Sequence, residues 1–182
     1  VMTKRAVIHV ENTENLVEFA EFLVSDGWTI LSANKTEEIL RKQKIPVTKE
    51  AALSENNMFM ADTSRLIRKV MLTKYHEEDE QYISHPDDEE NNIFIVCMNV
   101  LPVINPSIVS KQFDNQLCPK NFFVTSLIRN AFKNYENLLI LTDPEDYKEA
   151  MIQLRTGSIS LEFRTYLAAK ALNLVSAFDA GL

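Results

Sequence analysis

Glycine is scarce. The chain has three, Gly27, Gly157 and Gly181, in 182 residues, where ordinary usage of about 7% would give about thirteen. A loop that cradles phosphate through backbone N–H groups relies on glycine for positive φ and for close approach of the ligand. No stretch here is glycine-rich, so any phosphate site must be built from side chains and helix N-termini. Cysteine is equally thin: Cys97 and Cys118 are the only two, too few for a disulfide framework. Cys97 lies inside an apolar run, where a thiol acts as a small hydrophobe, and a reducing cytoplasmic setting is expected. Long apolar runs are missing as well. The longest, Ile93 to Met98, stops at Asn99, far short of the roughly 18 residues of a membrane span, so no membrane partner is expected. Thr3-Lys4-Arg5 leads directly into apolar sequence, and no leader peptide is expected. Positive charge is also in deficit, with 19 Lys and Arg against 26 Asp and Glu and a net charge of −7. The basic residues are scattered rather than striped, which argues against nucleic acid as a partner.

What is present suits a folded core: 46% of residues are apolar and 25% charged, ordinary values for a globular protein. A chain of this length fits one domain, residues 1–182, burying roughly 70% of its unfolded surface. Ala6 to Val10 reads as a buried strand, rich in β-branched residues. Asn12 or Thr13 can cap the helix that follows, whose Leu16, Phe19, Ala20 and Leu23 share a face and which Gly27 ends. Trp28 to Leu31 is a second strand, Lys35 to Gln43 a helix, and Ile45-Pro46-Val47 a brief third strand whose proline suggests an edge or a strand start. Met58 to Tyr75 has helical spacing. His76 to Asn92 holds eight acids among seventeen residues and reads as a solvated acidic loop, 76–92. Ile93 to Met98 is the most apolar strand. Phe122 to Lys133 is a helix, Leu138 to Leu141 a strand, and helices from Pro144 to Arg155 and from Ser160 onward complete the chain. Alternating strands and helices predict an α/β fold: right-handed βαβ units, a mainly parallel sheet, and helices on both faces in a three-layer α/β/α arrangement.

Several segments occur in the order found in one known family. Arg5-Ala6-Val7-Ile8-His9-Val10 leads into Leu16-Val17-Glu18-Phe19-Ala20. Gly27 is followed by Ile30-Leu31-Ser32 and then Ile45-Pro46-Val47-Thr48. Towards the end come Arg129, Lys133-Asn134-Tyr135, Asp143-Pro144-Glu145-Asp146-Tyr147, Ser160-Leu161-Glu162, Arg164, Leu167-Ala168-Ala169-Lys170-Ala171 and Phe178-Asp179-Ala180. This series resembles the IMP cyclohydrolase domain of the bifunctional purine-biosynthesis enzyme, over nearly the whole chain and most thinly in its middle third. The resemblance implies a methylglyoxal-synthase-like fold, a homodimer, and a purine ribonucleotide of the IMP or AICAR type held at the C-terminal ends of the strands. The chain stops about where the family's domain does, so no transformylase domain is expected.

The family's reaction closes the second purine ring of formyl-AICAR to give IMP: a carboxamide nitrogen attacks a neighbouring formamide carbonyl and water leaves. The step is intramolecular, so positioning and a few donors suffice, with no cofactor and no metal. By resemblance Lys133, Asn99 and Asn121 are the candidates over the base, and Ser32, Asn34, Lys35, Thr36 and Asn12 the candidates at the phosphate and nucleotide. The departures from the family are extensive. Its S-D-K-T-G loop is Glu11-Asn12-Thr13-Glu14-Asn15 here, with two glutamates where a dianion would bind. Its S-T-G-G-T loop is Ser32-Ala33-Asn34-Lys35-Thr36, in which Lys35 either replaces lost charge at a helix N-terminus or is an ordinary exposed lysine. The K-T-L-H-P loop has no counterpart, since the stretch aligning there, Ala61-Asp62-Thr63-Ser64-Arg65, keeps neither its lysine nor its histidine. Asn99-Val100-Leu101-Pro102-Val103 retains Asn99 and Pro102 of N-L-Y-P-F but has Leu101 for the tyrosine, and Asn121-Phe122-Phe123-Val124 lacks the acid and both glycines of D-I-G-G. Lys133 stands where the family has a catalytic lysine, and equally where a lysine serves a helix end. His76 and His85 match no metal-ligand spacing. Two readings stay open: a cyclohydrolase with eroded motifs, or a non-catalytic nucleotide- or anion-binding or dimeric interaction module. Structural segments are the better kept, which favours the second.

Overall fold

A computed structural model describes residues 4–54, 60–73, 92–100 and 119–181. Five strands form one sheet: β1 (Arg5–His9), β2 (Thr29–Ser32), β3 (Thr48–Lys49), β4 (Ile95–Met98) and β5 (Leu139–Leu141). Their order is β3-β2-β1-β4-β5 and every pairing is parallel. Six helices accompany them among the described residues: α1 (Leu16–Ser25), α2 (Asn34–Lys42), α3 (Met60–Leu72), α4 (Pro119–Phe132), α5 (Tyr147–Thr156) and α6 (Leu161–Ala180). Parallel strands need crossovers, and helical crossovers cover both faces, so the strands become apolar on both sides. Side chains alternate accordingly. Ala6, Ile8, Ile95, Cys97, Leu139 and Leu141 face α1, α2 and α5. Val7, Val96, Met98 and Ile140 face α3, α4 and α6. The expected three-layer α/β/α architecture is the one observed. Helix α6 contributes Leu167 to the first core and Ala168, Ala171, Val175 and Phe178 to the second, and so wraps the β5 edge of the sheet.

The shortage of glycine is visible in the helix ends. Gly27, at φ 86°, closes α1 by donating its N–H to the Val24 carbonyl while Trp28 donates to Leu23, the double bond that a left-handed residue permits. Helix α2 ends in the same way without glycine: Lys44 takes φ 60°, and Lys44 and Ile45 donate to Arg41 and Leu40. Asn15 and Asn34 also stand at positive φ, a conformation asparagine tolerates better than most residues.

Two local expectations are corrected. The third strand falls at Thr48–Lys49, not at Ile45-Pro46-Val47, because the Ile45 N–H is committed to closing α2 and Pro46 has no N–H to give a ladder. The helix α1 has Asn15 as its N-cap, with no side-chain cap bond; Asn12 instead accepts from the Glu14 N–H at 3.0 Å. The acidic loop lies almost wholly outside the described residues, as do Cys118, His76, His85 and Leu101. Among the described residues no helix is long and apolar enough to cross a membrane.

Candidate functional site

In a parallel sheet of this order the crossovers leave β1 in opposite directions, to β2 on one side and ultimately to β4 on the other. The chain therefore parts above the carboxyl ends of β1 and β4, the place where open α/β sheets bind ligands. His9 is paired with Met98 at the end of that ladder, so the next residues, Val10 and Asn99, face each other across the gap. Asn99 is 4% exposed. Its Oδ1 accepts two backbone N–H groups from the loop after β1, Glu11 at 2.7 Å and Asn12 at 2.9 Å. Both partners are donors, which fixes the orientation of the amide. Its Nδ2 is buried and has no hydrogen-bond partner among the described residues.

The loop after β2 is bound into the same edge. Ser32 Oγ donates to the Ile8 carbonyl at 2.6 Å. Thr36, in the first turn of α2, accepts from the Val10 N–H at 3.1 Å and donates to the Val10 carbonyl at 3.3 Å. Asn34 Nδ2 donates to the Leu53 carbonyl at 2.6 Å, and Lys35 is exposed. Asn121 is partly buried in the first turn of α4, at the same edge of the sheet. The fold thus brings Asn12, Asn99, Ser32, Asn34, Lys35 and Thr36 around the ends of β1, β2 and β4.

Lys133 is elsewhere. It is exposed just past the end of α4, on the way into β5. Its neighbour Asn134 donates to the Val70 and Thr73 carbonyls at the end of α3, and Thr73 in turn accepts from the Ile93 N–H ahead of β4. All of this lies at the amino edge of the sheet. The Leu139 N–H bonds to the Phe94 carbonyl, and Asn99 follows Phe94 by five residues, about 16 Å of strand.

A third strand-end cluster was not anticipated from the sequence. Beyond β5, Lys170 from α6 meets Asp143 at 2.7 Å and Asp146 at 2.8 Å, and Asp143 also accepts the Glu145 N–H, capping the turn that starts at Pro144. A lysine and aspartates about 25 residues apart on different elements leave no local spacing to read. Burial alone would raise Asp143, but the Lys170 hydrogen bond, the Glu145 N–H and the Lys170 charge outweigh it and hold the carboxyl below its usual 3.8. Burial alone would lower Lys170, and the two carboxylates outweigh it in the other direction. Replacing Lys170 with methionine should therefore cost about 1–3 kcal/mol at neutral pH. The Asp143 contribution is present above pH 4 and lost as pH falls through its depressed value; that of Lys170 is present below pH 10 and lost only beyond its raised value. Thermal unfolding of both proteins across pH should show a gap that is widest near neutrality and narrows below pH 4.

The inner face of β4 carries the remaining chemical candidate. Cys97 is fully buried and donates to the Tyr147 hydroxyl at 3.3 Å. Burial, only partly offset by that bond, pushes the thiol up to about 12, so it holds almost no thiolate at neutral pH and is no nucleophile. It is core, as its place in an apolar run implies.

The segments that carry the resemblance are largely structural bonds. Arg129 pairs with Asp179, Arg164 is buried and donates to the Glu136 carbonyl, and Ser160 caps α6 through the Phe163 N–H. The family model described as AICARFT/IMPCHase bienzyme matches this part of the chain, residues 131–182. The bifunctional purine biosynthesis protein PurH of Lysinibacillus sphaericus is 29% identical over 187 residues, which cover 98% of this chain and 36% of that protein. PurH of Lactococcus lactis subsp. lactis is 28% identical over 187 residues, covering 98% and 35%. The chain thus spans about a third of the length of the curated relatives it matches. The crystal structure of ForH shares the fold, with a TM-score of 0.80 at 23% identity over 98% of this chain and 96% of that one. Sequence and fold agree in what the chain is similar to: an IMP cyclohydrolase-like domain of the PurH proteins, over about a third of their length.

Proposed function

We propose that this chain is a purine-ribonucleotide-binding domain of purine biosynthesis that takes an IMP- or AICAR-type ligand in the crevice between β1 and β4 and has lost efficient ring closure. The observation that carries this reading is the Asn99 amide. A buried donor without a partner costs about 1–3 kcal/mol, and proteins rarely leave one unless something else accepts from it. At a strand-end crevice, a carbonyl oxygen of a purine base or of the AICAR carboxamide is an acceptor of suitable chemistry. The loss of ring closure is inferred from Lys133. A general acid or base must come within hydrogen-bond reach of the reacting atoms, and this lysine stands at the other end of the sheet from Asn99.

The test is a thermal-shift titration with IMP and AICAR, followed by an assay of ring closure on formyl-AICAR. Saturable stabilisation is expected, amounting to about 2.7 kcal/mol at a hundredfold excess over Kd. Lys133→Ala should show the same stabilisation as the parent protein, and neither should turn over the formylated substrate at an enzymatic rate. Absence of any shift at millimolar ligand would remove the binding reading. Turnover that disappears in Lys133→Ala would reinstate the cyclohydrolase.

A further inference from the structure

We infer that the crevice gains no affinity from a ligand's phosphate and takes a purine ribonucleoside at least as well as the corresponding nucleotide; this rests on the binding reading above and refines it. A phosphate is held by hydrogen-bond donors and positive charge. In the loop after β1 three backbone donors are already engaged: the Glu11 and Asn12 N–H groups are bound to Asn99 Oδ1, and the Glu14 N–H to Asn12 Oδ1. In the loop after β2 the hydroxyl protons are engaged too. Ser32 gives its proton to the Ile8 carbonyl and Thr36 to the Val10 carbonyl, so both hydroxyls can offer a ligand only lone pairs, which a phosphate oxygen repels. One N–H of Asn34 is held by the Leu53 carbonyl.

Charge points the same way. Glu11 and Glu14 bring two carboxylates to the first loop, and Lys35 brings one exposed ammonium to the second. An exposed ammonium is screened within about 8–10 Å at ordinary ionic strength, and within these two loops it is outnumbered. Asn99 Nδ2, a buried donor without a partner among the described residues, suits a neutral acceptor, as a base carbonyl is, and it lies where β1 and β4 part.

Calorimetric titration of the full chain with inosine and IMP, and with AICA riboside and AICAR, tests this at low and at physiological salt. The expected result is a Kd for inosine equal to or below that for IMP, with the IMP disadvantage larger at low salt. Glu14→Lys keeps the backbone N–H that holds Asn12 and reverses an exposed charge. It should tighten IMP by about three- to tenfold at low salt and leave inosine unmoved. IMP binding tenfold tighter than inosine to the parent protein, or Glu14→Lys without effect on IMP, would overturn this inference while leaving the binding reading intact. Failure of all four compounds to bind would overturn both.

Discussion

Asn99→Ala is expected to destabilise the protein by about 2–4 kcal/mol in urea unfolding. The side chain does the work of a hydrogen-bonded ladder past the point where the ladder ends. Strand β1 parts from β4 after His9; the Val10 N–H turns to Thr36, and the two amides after it, those of Glu11 and Asn12, turn to one carboxamide oxygen. Deleting that oxygen leaves two donors without an acceptor, each worth about 1–3 kcal/mol where water cannot replace it. Both sites are part-buried, which keeps the sum below the upper limit. Asn99→Asp separates stability from binding. It retains an acceptor for both N–H groups, now charge-assisted, and removes the Nδ2 donors offered to a ligand. It should recover most of the stability lost in the alanine variant and still show no ligand-induced shift. An alanine variant within about 0.5 kcal/mol of the parent would mean that water takes over the oxygen's role and that the loop does not depend on Asn99.

How far the sequence discloses this arrangement depends on the range of the interaction. The strands were legible because parallel strands are buried on both faces: Ala6 to Val10 and Ile93 to Met98 are short apolar runs bounded by polar residues, and both are strands within two residues of those limits. Helix α1 was legible from its period, and its end from Gly27. Where backbone donors were already committed elsewhere, as at Ile45, local pattern misplaced the strand. The site is legible in part. That Asn99, Ser32 and Thr36 lie together follows from their all standing just past strands of one parallel sheet. What each does there does not follow, because their partners are 24 to 88 residues away. Lys133 shows the converse. Motif alignment groups it with Asn99, but a lysine at the end of α4 that leads into β5 must lie at the amino edge, since a helix crossing between parallel strands runs back against them. The Lys170 cluster had no local signature at all.

Phe19→Ala is the substitution expected to cost most, about 3–5 kcal/mol. Phe19 is wholly buried on α1, and its ring stacks on Tyr147 of α5 with centroids 4.6 Å apart and planes 15° from parallel. Such a stack adds about 0.5–1.5 kcal/mol to the burial itself. Tyr147 in turn accepts from Cys97 on β4, so one ring ties together two helices and a central strand. Truncation opens a void among side chains whose backbones are fixed by the sheet, and little can move in to fill it. With a total stability of about 5–15 kcal/mol for a domain, such a loss brings the protein close to unfolding. Phe19→Leu, which keeps most of the volume, should cost well under half as much. Equal losses from leucine and alanine would assign the effect to the stack rather than to the cavity. The consequence for the crevice is specific. Helix α1 begins immediately after the loop of Glu11 to Asn15, and its seating on Tyr147 helps hold that loop against Asn99. A Phe19→Ala protein still folded at low temperature should therefore bind IMP or inosine more weakly than its loss of global stability alone explains, whereas Ile152→Ala, at an exposed position on the outer side of α5, should leave both stability and affinity near those of the parent.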